Sequence, residues 1–125
     1  MKRKVLIITL LIITLALFIS CTGGSYTMTV GSLNGNGKHI EGKYNSFNGK
    51  YFSKVKLEEG DIVEYQTSIT TDDGSMELVL LDKNKNVLLN LEPTGSIEIT
   101  EDGYYYFTAL GDHHKGSFEV EWSIK

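Results

Sequence analysis

Along most of the chain after residue 24, apolar and polar positions alternate one by one. The clearest run is the last. Phe118, Val120, Trp122 and Ile124 share one parity, and Ser117, Glu119, Glu121 and Ser123 share the other. Successive side chains of a strand point to opposite faces, so this run predicts a strand with one face in the core and one in water. Tyr26, Met28 and Val30 alternate with Thr27 and Thr29. Tyr51, Val55 and Leu57 alternate with Phe52, Lys54 and Lys56. Val63, Tyr65, Thr67 and Ile69 oppose Glu64, Gln66 and Ser68, and Met76, Leu78 and Leu80 oppose Glu77 and Val79. Shorter runs fall at 87–91, 97–99 and 105–109, with a weaker one over 40–47. No segment in this region has a convincing helical period.

Turn chemistry separates these runs. Asn48-Gly49 and Asp73-Gly74 suit the positive φ angles of tight hairpins. Residues 82–86 (Asp-Lys-Asn-Lys-Asn) form a polar turn, and Pro93 sits between strands, where its missing N–H is harmless. Residues 31–37 are glycine-rich and read as a mobile loop. Many short strands with turn signals about every 8–12 residues predict an all-β domain, an antiparallel β-sandwich of jelly-roll or immunoglobulin-like type.

The first twenty residues follow a different pattern. Lys2, Arg3 and Lys4 precede an apolar run over 5–19, broken only by Thr9 and Thr14, and Ser20 then precedes Cys21. This is the layout of an export signal, and the run is shorter than the roughly 20 residues a spanning helix needs. Leu17-Phe18-Ile19-Ser20-Cys21 resembles a bacterial lipobox, with Phe18 where that pattern prefers Leu. The resemblance implies cleavage before Cys21, a thioether-linked diacylglyceryl group on it, and a stable anchor to a membrane. It implies a cell-membrane location on the extracytoplasmic face, or the outer membrane where an organism has one. The expected organisation is therefore a signal peptide over 1–20, a lipidated tether over 21–24 and a β-sandwich over 25–125.

Composition narrows the function classes. A hydrophobic fraction of 41% and a charged fraction of 22% fit one folded domain. One cysteine excludes an intramolecular disulfide framework and a multi-cysteine zinc site. Past residue 20 there are nine lysines, no arginine and sixteen acidic residues, a balance of about −7. Such a domain lacks the basic patch that nucleic acid requires, so no nucleic-acid partner is expected. Its net charge predicts repulsion from anionic lipid, leaving attachment to the acyl group.

Residues 55–63 (Val-Lys-Leu-Glu-Glu-Gly-Asp-Ile-Val), 76–82 (Met-Glu-Leu-Val-Leu-Leu-Asp) and 101–107 (Glu-Asp-Gly-Tyr-Tyr-Tyr-Phe) resemble segments of pre-peptidase C-terminal type domains. Those domains are small β-sandwiches of secreted bacterial proteins. The resemblance implies a sandwich fold and a non-catalytic role, and some such domains bind calcium. Gly103-x-Tyr105 also has the spacing of the tyrosine corner of immunoglobulin-like sandwiches, whose hydroxyl returns to nearby backbone. An ordinary aromatic core strand fits that spacing equally well.

Candidate site residues are few. His113 and His114, between Gly111 and Gly116, read as a solvated hairpin loop, with metal binding the weaker alternative because too few ligands accompany them. Asp61, Asp72, Asp73 and Asp102 lie in acidic turns that could share a calcium ion across strand ends, though no spaced calcium loop is present. Acidic turns that keep an exported domain soluble are the simpler reading. Tyr104 and Tyr106 should face outward if Tyr105 and Phe107 face in. With Phe52 they could stack on sugar rings, or pack as ordinary cross-strand pairs. No nucleophile elbow or triad pattern is present, so no enzyme is expected. The expected role is binding a protein partner or serving as an accessory subunit, with glycan binding and calcium stabilisation as alternatives and no cofactor otherwise.

Overall fold

A computed structural model describes residues 22–125. The signal segment and the lipidation expected at Cys21 lie outside these described residues. Six strands follow in order: β1 (Thr22–Asn36), β2 (His39–Leu57), β3 (Ile62–Leu81), β4 (Val87–Asn90), β5 (Thr94–Glu98) and β6 (Gly103–Ile124). All pairings are antiparallel, in the order β1-β2-β6-β3-β4, with β5 pairing β3 as well.

Four of these strands run 15 to 22 residues, far longer than the usual five or six. They are bent double. Phe107 and Trp122 both belong to β6, fifteen positions apart, yet their rings stack with centroids 4.0 Å apart and planes within 6°. Straight strand would separate them by about 50 Å. Ser53 and Asn36 likewise meet across the fold through a 2.7 Å hydrogen bond from Oγ to the carbonyl. The result is an antiparallel β-sandwich whose two layers are joined by the strands themselves. The first layer takes the start of β1, the end of β2, the start of β6, the end of β3, and β4. The second takes the other halves of the same strands and β5.

The bend explains three departures from expectation. Asn48-Gly49, Asp73-Gly74 and His113-His114 do not close hairpins; they lie inside β2, β3 and β6. Register shifts flank two of them, between Tyr44 and Gly49 and between Thr71 and Ser75. Residues that permit positive φ can turn a chain back on its neighbour or carry it over a corner into a second layer. Here they do the second: Gly74 has φ +73°, and Val30 and His113 adopt φ 40° and 49° at the same crease. A Cβ on Gly74 would run into the His113 carbonyl. The glycine-rich stretch after Val30 is strand too, paired from Gly31–Tyr44 to Asn36–His39, and only residues 37–38 form the turn. Close approach is the reason: a Cβ on Gly35 would sit 2.9 Å from Ile40 Cγ2. The tether expected over 21–24 is also corrected, because Thr22, Gly23 and Gly24 already pair with Ser53, Phe52 and Tyr51.

The inward rows of both layers form one core, including Ile40, Tyr44, Phe47, Leu57, Val63, Leu80, Phe107, Phe118 and Trp122. The alternation holds over most of the fold, but Tyr26, Val30 and Ile69 on the apolar rows are 41%, 78% and 43% exposed, and Val79 on the row of Glu77 is buried. Ile124 is the exception on its strand, 48% exposed at the chain end. Tyr105 is buried, and its hydroxyl donates to the Glu101 carbonyl at 2.6 Å, the corner geometry its spacing suggested. The turn over 82–86 is held as its composition predicts, with Asp82 Oδ1 accepting from the Asn84 and Asn86 amides at 2.9 and 3.0 Å.

Candidate functional site

With every inward row committed to the core, function falls to the two outward faces and the crease between them. The outer face of the second layer carries His39 and Glu41 from β2, Glu119 and Glu121 from β6, and Glu64, Gln66 and Ser68 from β3. Register brings them together: His39 opposes Glu121, Glu41 opposes Glu119, and Ser68 and Gln66 flank the other side. His39 Nε2 lies 3.5 Å from Glu41 Oε2 and 3.7 Å from Glu119 Oε1. Glu119 shares a hydrogen bond with Glu121, which, with partial burial and the repulsion between the two carboxylates, raises its pKa above the ordinary value. Two carboxylates this close retain a proton more readily than either would alone.

The ligand atoms of His39, Glu119 and Glu121 lie within 4.8 Å of one another, the one such group of three among the described residues. One imidazole and two carboxylates could hold a borderline divalent cation such as zinc, leaving a position for water. Open grooves surround this strip. One of about 510 Å³ is lined by Glu64, Gln66, Gly95, Glu121 and Ser123. Another of about 590 Å³ is lined by Gly37, Lys38, His39 and Glu121. A third of about 280 Å³ runs past Ser32, Glu41, Lys43, Ser68 and Glu119. Glu119 and Glu121 were legible as outward residues of the last strand. Their meeting with His39 was not, because it depends on which strand lies beside which.

The outer face of the first layer differs in kind. Phe52, Lys54 and Lys56 on β2 stand beside Tyr104, Tyr106 and Thr108 on β6. Phe52 and Tyr106 pack edge to face, with centroids 5.3 Å apart. Lys54 Nζ lies 4.3 Å from the Tyr104 ring centre and Lys85 Nζ 5.6 Å from that of Tyr106. Tyr104 is exposed and Tyr106 half-buried. Both therefore point outward, but lysine ammonium groups stand over their rings.

The structure scatters the remaining candidates. Asp61 accepts the Glu58 amide at 2.8 Å and Asp102 the Glu59 amide at 2.7 Å, so both tie down the β2–β3 turn. Asp72 and Asp73 lie at the crease of β3, where Asp73 accepts the Gly74 amide at 2.9 Å. His113 is exposed, with Nδ1 2.8 Å from its neighbour Asp112. His114 is corrected from loop residue and weak metal candidate to core residue. Its ring is fully buried, with Nδ1 2.7 Å from Tyr44 Oη and Nε2 2.8 Å from Thr71 Oγ1. Both nitrogens are engaged, leaving none for an ion. Burial lowers its pKa, partly opposed by Asp72, and burial pushes the Tyr44 phenol up. The neutral forms of both suit this pairing.

No family model matches the chain, and no curated protein matches it. Among solved structures, it is similar to PliG of Aeromonas hydrophila, a periplasmic lysozyme inhibitor of g-type lysozyme. The TM-score is 0.46 at 6% identity, covering 85% of this chain and 88% of that one. It is also similar to the enzymatically active domain of tailspike protein 4 of bacteriophage CBA120. There the TM-score is 0.31 at 12% identity, covering 86% of this chain and 17% of that one. Likenesses this distant carry no argument about function, which rests on the geometry of the chain itself.

Proposed function

We propose that the chain is the folded part of a lipoprotein anchored through Cys21 on the extracytoplasmic side of a membrane. In this reading it is a non-catalytic module that binds a protein partner on its glutamate face. The observation that carries the binding reading is the convergence of open grooves on Glu119 and Glu121, with Glu41 and Glu64 beside them. Grooves open to solvent along a sheet fit an extended segment of a partner better than an enclosed small molecule. The carboxylates select for lysine or arginine on that segment, since complementary charge steers encounter and fixes register. The buried, doubly bonded His114 supports a structural role for that imidazole rather than acid–base chemistry.

The test is crosslinking of the intact lipoprotein in its own cells, comparing the natural chain with a Glu119→Lys, Glu121→Lys variant. A protein adduct formed by the first and lost in the second is the expected result. An adduct indifferent to the charge reversal would move the binding surface elsewhere. In parallel, Cys21→Ser should shift the protein to the soluble fraction.

Glycan binding through Tyr104 and Tyr106 is the second reading, favoured by the 47% exposure of Tyr104. A sugar would have to displace Lys54 from the face of that ring. Tyr104→Ala should abolish retention on a glycan array if this reading holds.

A further inference from the structure

We propose that the outer face of the first layer is a membrane-resting surface, which lies against the anionic lipid headgroups beside the anchor. The inference rests on the lipid-anchor reading of Cys21.

Position is the first argument. The Cα of Thr22 is one peptide, about 3.8 Å, from that of Cys21. Thr22 is already strand, paired with Ser53, and Gly23 pairs with Phe52 so closely that a Cβ on it would meet the Phe52 ring at 3.3 Å. No linker separates the acylated position from this face. A diacylglyceryl group there brings the Phe52 edge of the layer to the lipid surface.

Chemistry is the second. The face presents Phe52, Tyr104 and Tyr106, and Val87, opposite Leu81, adds a side chain 57% exposed. Aromatic rings with one polar edge favour the headgroup level of a bilayer. Lys50, Lys54, Lys56 and Lys85 stand on or beside this face, supplying ammonium groups for lipid phosphates, with those of Lys54 and Lys85 over the Tyr104 and Tyr106 rings. On the outward rows of β2, β3 and β6 in this layer, the acids among the described residues are Glu77 and, at the crease end, Asp112; Glu58, Glu59, Asp82, Glu101 and Asp102 belong to turns at the layer's end. The net charge of the domain predicts repulsion from anionic lipid. Segregation of its charges overrules that prediction, because the glutamates crowd the opposite layer and would turn toward the medium.

The experiment uses the intact acylated lipoprotein in vesicles of equimolar phosphatidylglycerol and phosphatidylcholine. Flotation first reports whether the chain is held by lipid. Brief acetylation with an amine-reactive reagent, read by mass spectrometry, then compares each lysine in vesicles and in detergent. Lys50, Lys54, Lys56 and Lys85 should react several-fold more slowly in vesicles, and Lys38, Lys43 and Lys125 should be unchanged. Flotation without this protection would overturn the resting face and leave the anchor standing. Absence of flotation would overturn both. Protection found in native membranes but not in these vesicles would assign the face to a protein partner and overturn the lipid proposal.

Discussion

The two outward faces are built from the same four long strands, from positions of opposite parity on β2, β3 and β6 because the register shifts at the crease, and they carry opposite chemistry. On β2, Lys54 and Lys56 stand beside Tyr106 and Tyr104, whereas His39 and Glu41 on its other half stand beside Glu121 and Glu119. On the first face, cations settle over aromatic rings. On the second, carboxylates crowd until Glu119 shares a hydrogen bond with Glu121. The crease between the layers is where the chemistry changes, and it is also where His114 is sealed between Tyr44 and Thr71. A domain of net negative charge can therefore offer a locally basic surface. Which surface a partner meets is set by the fold and not by the sum of the charges.

The comparison collapses if the layers separate, so the largest expected effect comes from the ring stack that joins them. Phe107 is fully buried and lies parallel to Trp122 of the opposite layer. Phe107→Ala removes the stack and leaves a cavity, at a cost of about 3–5 kcal/mol. Domains of this size hold only about 5–15 kcal/mol in total. Urea denaturation followed by Trp122 fluorescence should show a large fall in midpoint and a red-shifted, more accessible indole. A fall no greater than that of a surface substitution would mean that the stack does not hold the layers together.

How much of this was legible beforehand depends on the range of the interaction. The alternation that placed Phe118, Val120 and Trp122 in the core needs only neighbours along the chain, and it held. The Tyr105 hydroxyl reaches back four residues to Glu101, also a local matter. The bends look like hairpins in the sequence because glycine at positive φ is needed by both, and only long-range packing decides between them. The glutamate cluster was missed for a related reason. His39 and Glu121 are remote in sequence, and nothing in either segment announces that β2 lies against β6. Adjacent in sequence, the two histidines look like one unit, but they sit at a bend that exposes His113 and buries His114.

Acid should act on the crease and on the glutamate face with opposite sign. Burial holds the His114 pKa below its ordinary 6.5. As pH falls below 6.5 the unfolded chain takes up a proton that the folded ring resists, so stability drops, levelling off below the folded pKa. Above 6.5 His114 contributes no pH dependence. Glu119 is raised above its ordinary 4.5, chiefly by the hydrogen bond with Glu121. Between 4.5 and its folded value the native state holds the extra proton, so stability declines as pH rises through that window. Urea midpoints measured across both windows should resolve the two contributions. His114→Asn should flatten the first and Glu121→Gln the second. If either variant flattened both, the crease and the face would not be independent.

The smallest expected effect tests whether the lysines of the two faces are held differently. Lys54 is partly buried with its ammonium group 4.3 Å from the Tyr104 ring centre, while Lys43 is exposed on the glutamate face, opposite Ser117. Lys54→Met keeps most of the stem over the ring and removes the charge. Loss of an exposed cation–π contact costs about 0.5–1 kcal/mol. Lys43→Met loses only long-range attraction to neighbouring carboxylates, which salt at about 0.15 M screens within roughly 8 Å. Melting at low and moderate ionic strength should therefore show a small loss for Lys54→Met that persists in salt, and a smaller one for Lys43→Met that fades. Equal, equally screened losses would mean that the lysines of the first face sit in an ordinary ionic atmosphere. The rings beneath them would then be no more covered than any surface aromatic, and the glycan reading of Tyr104 would gain at the expense of the contrast between the faces.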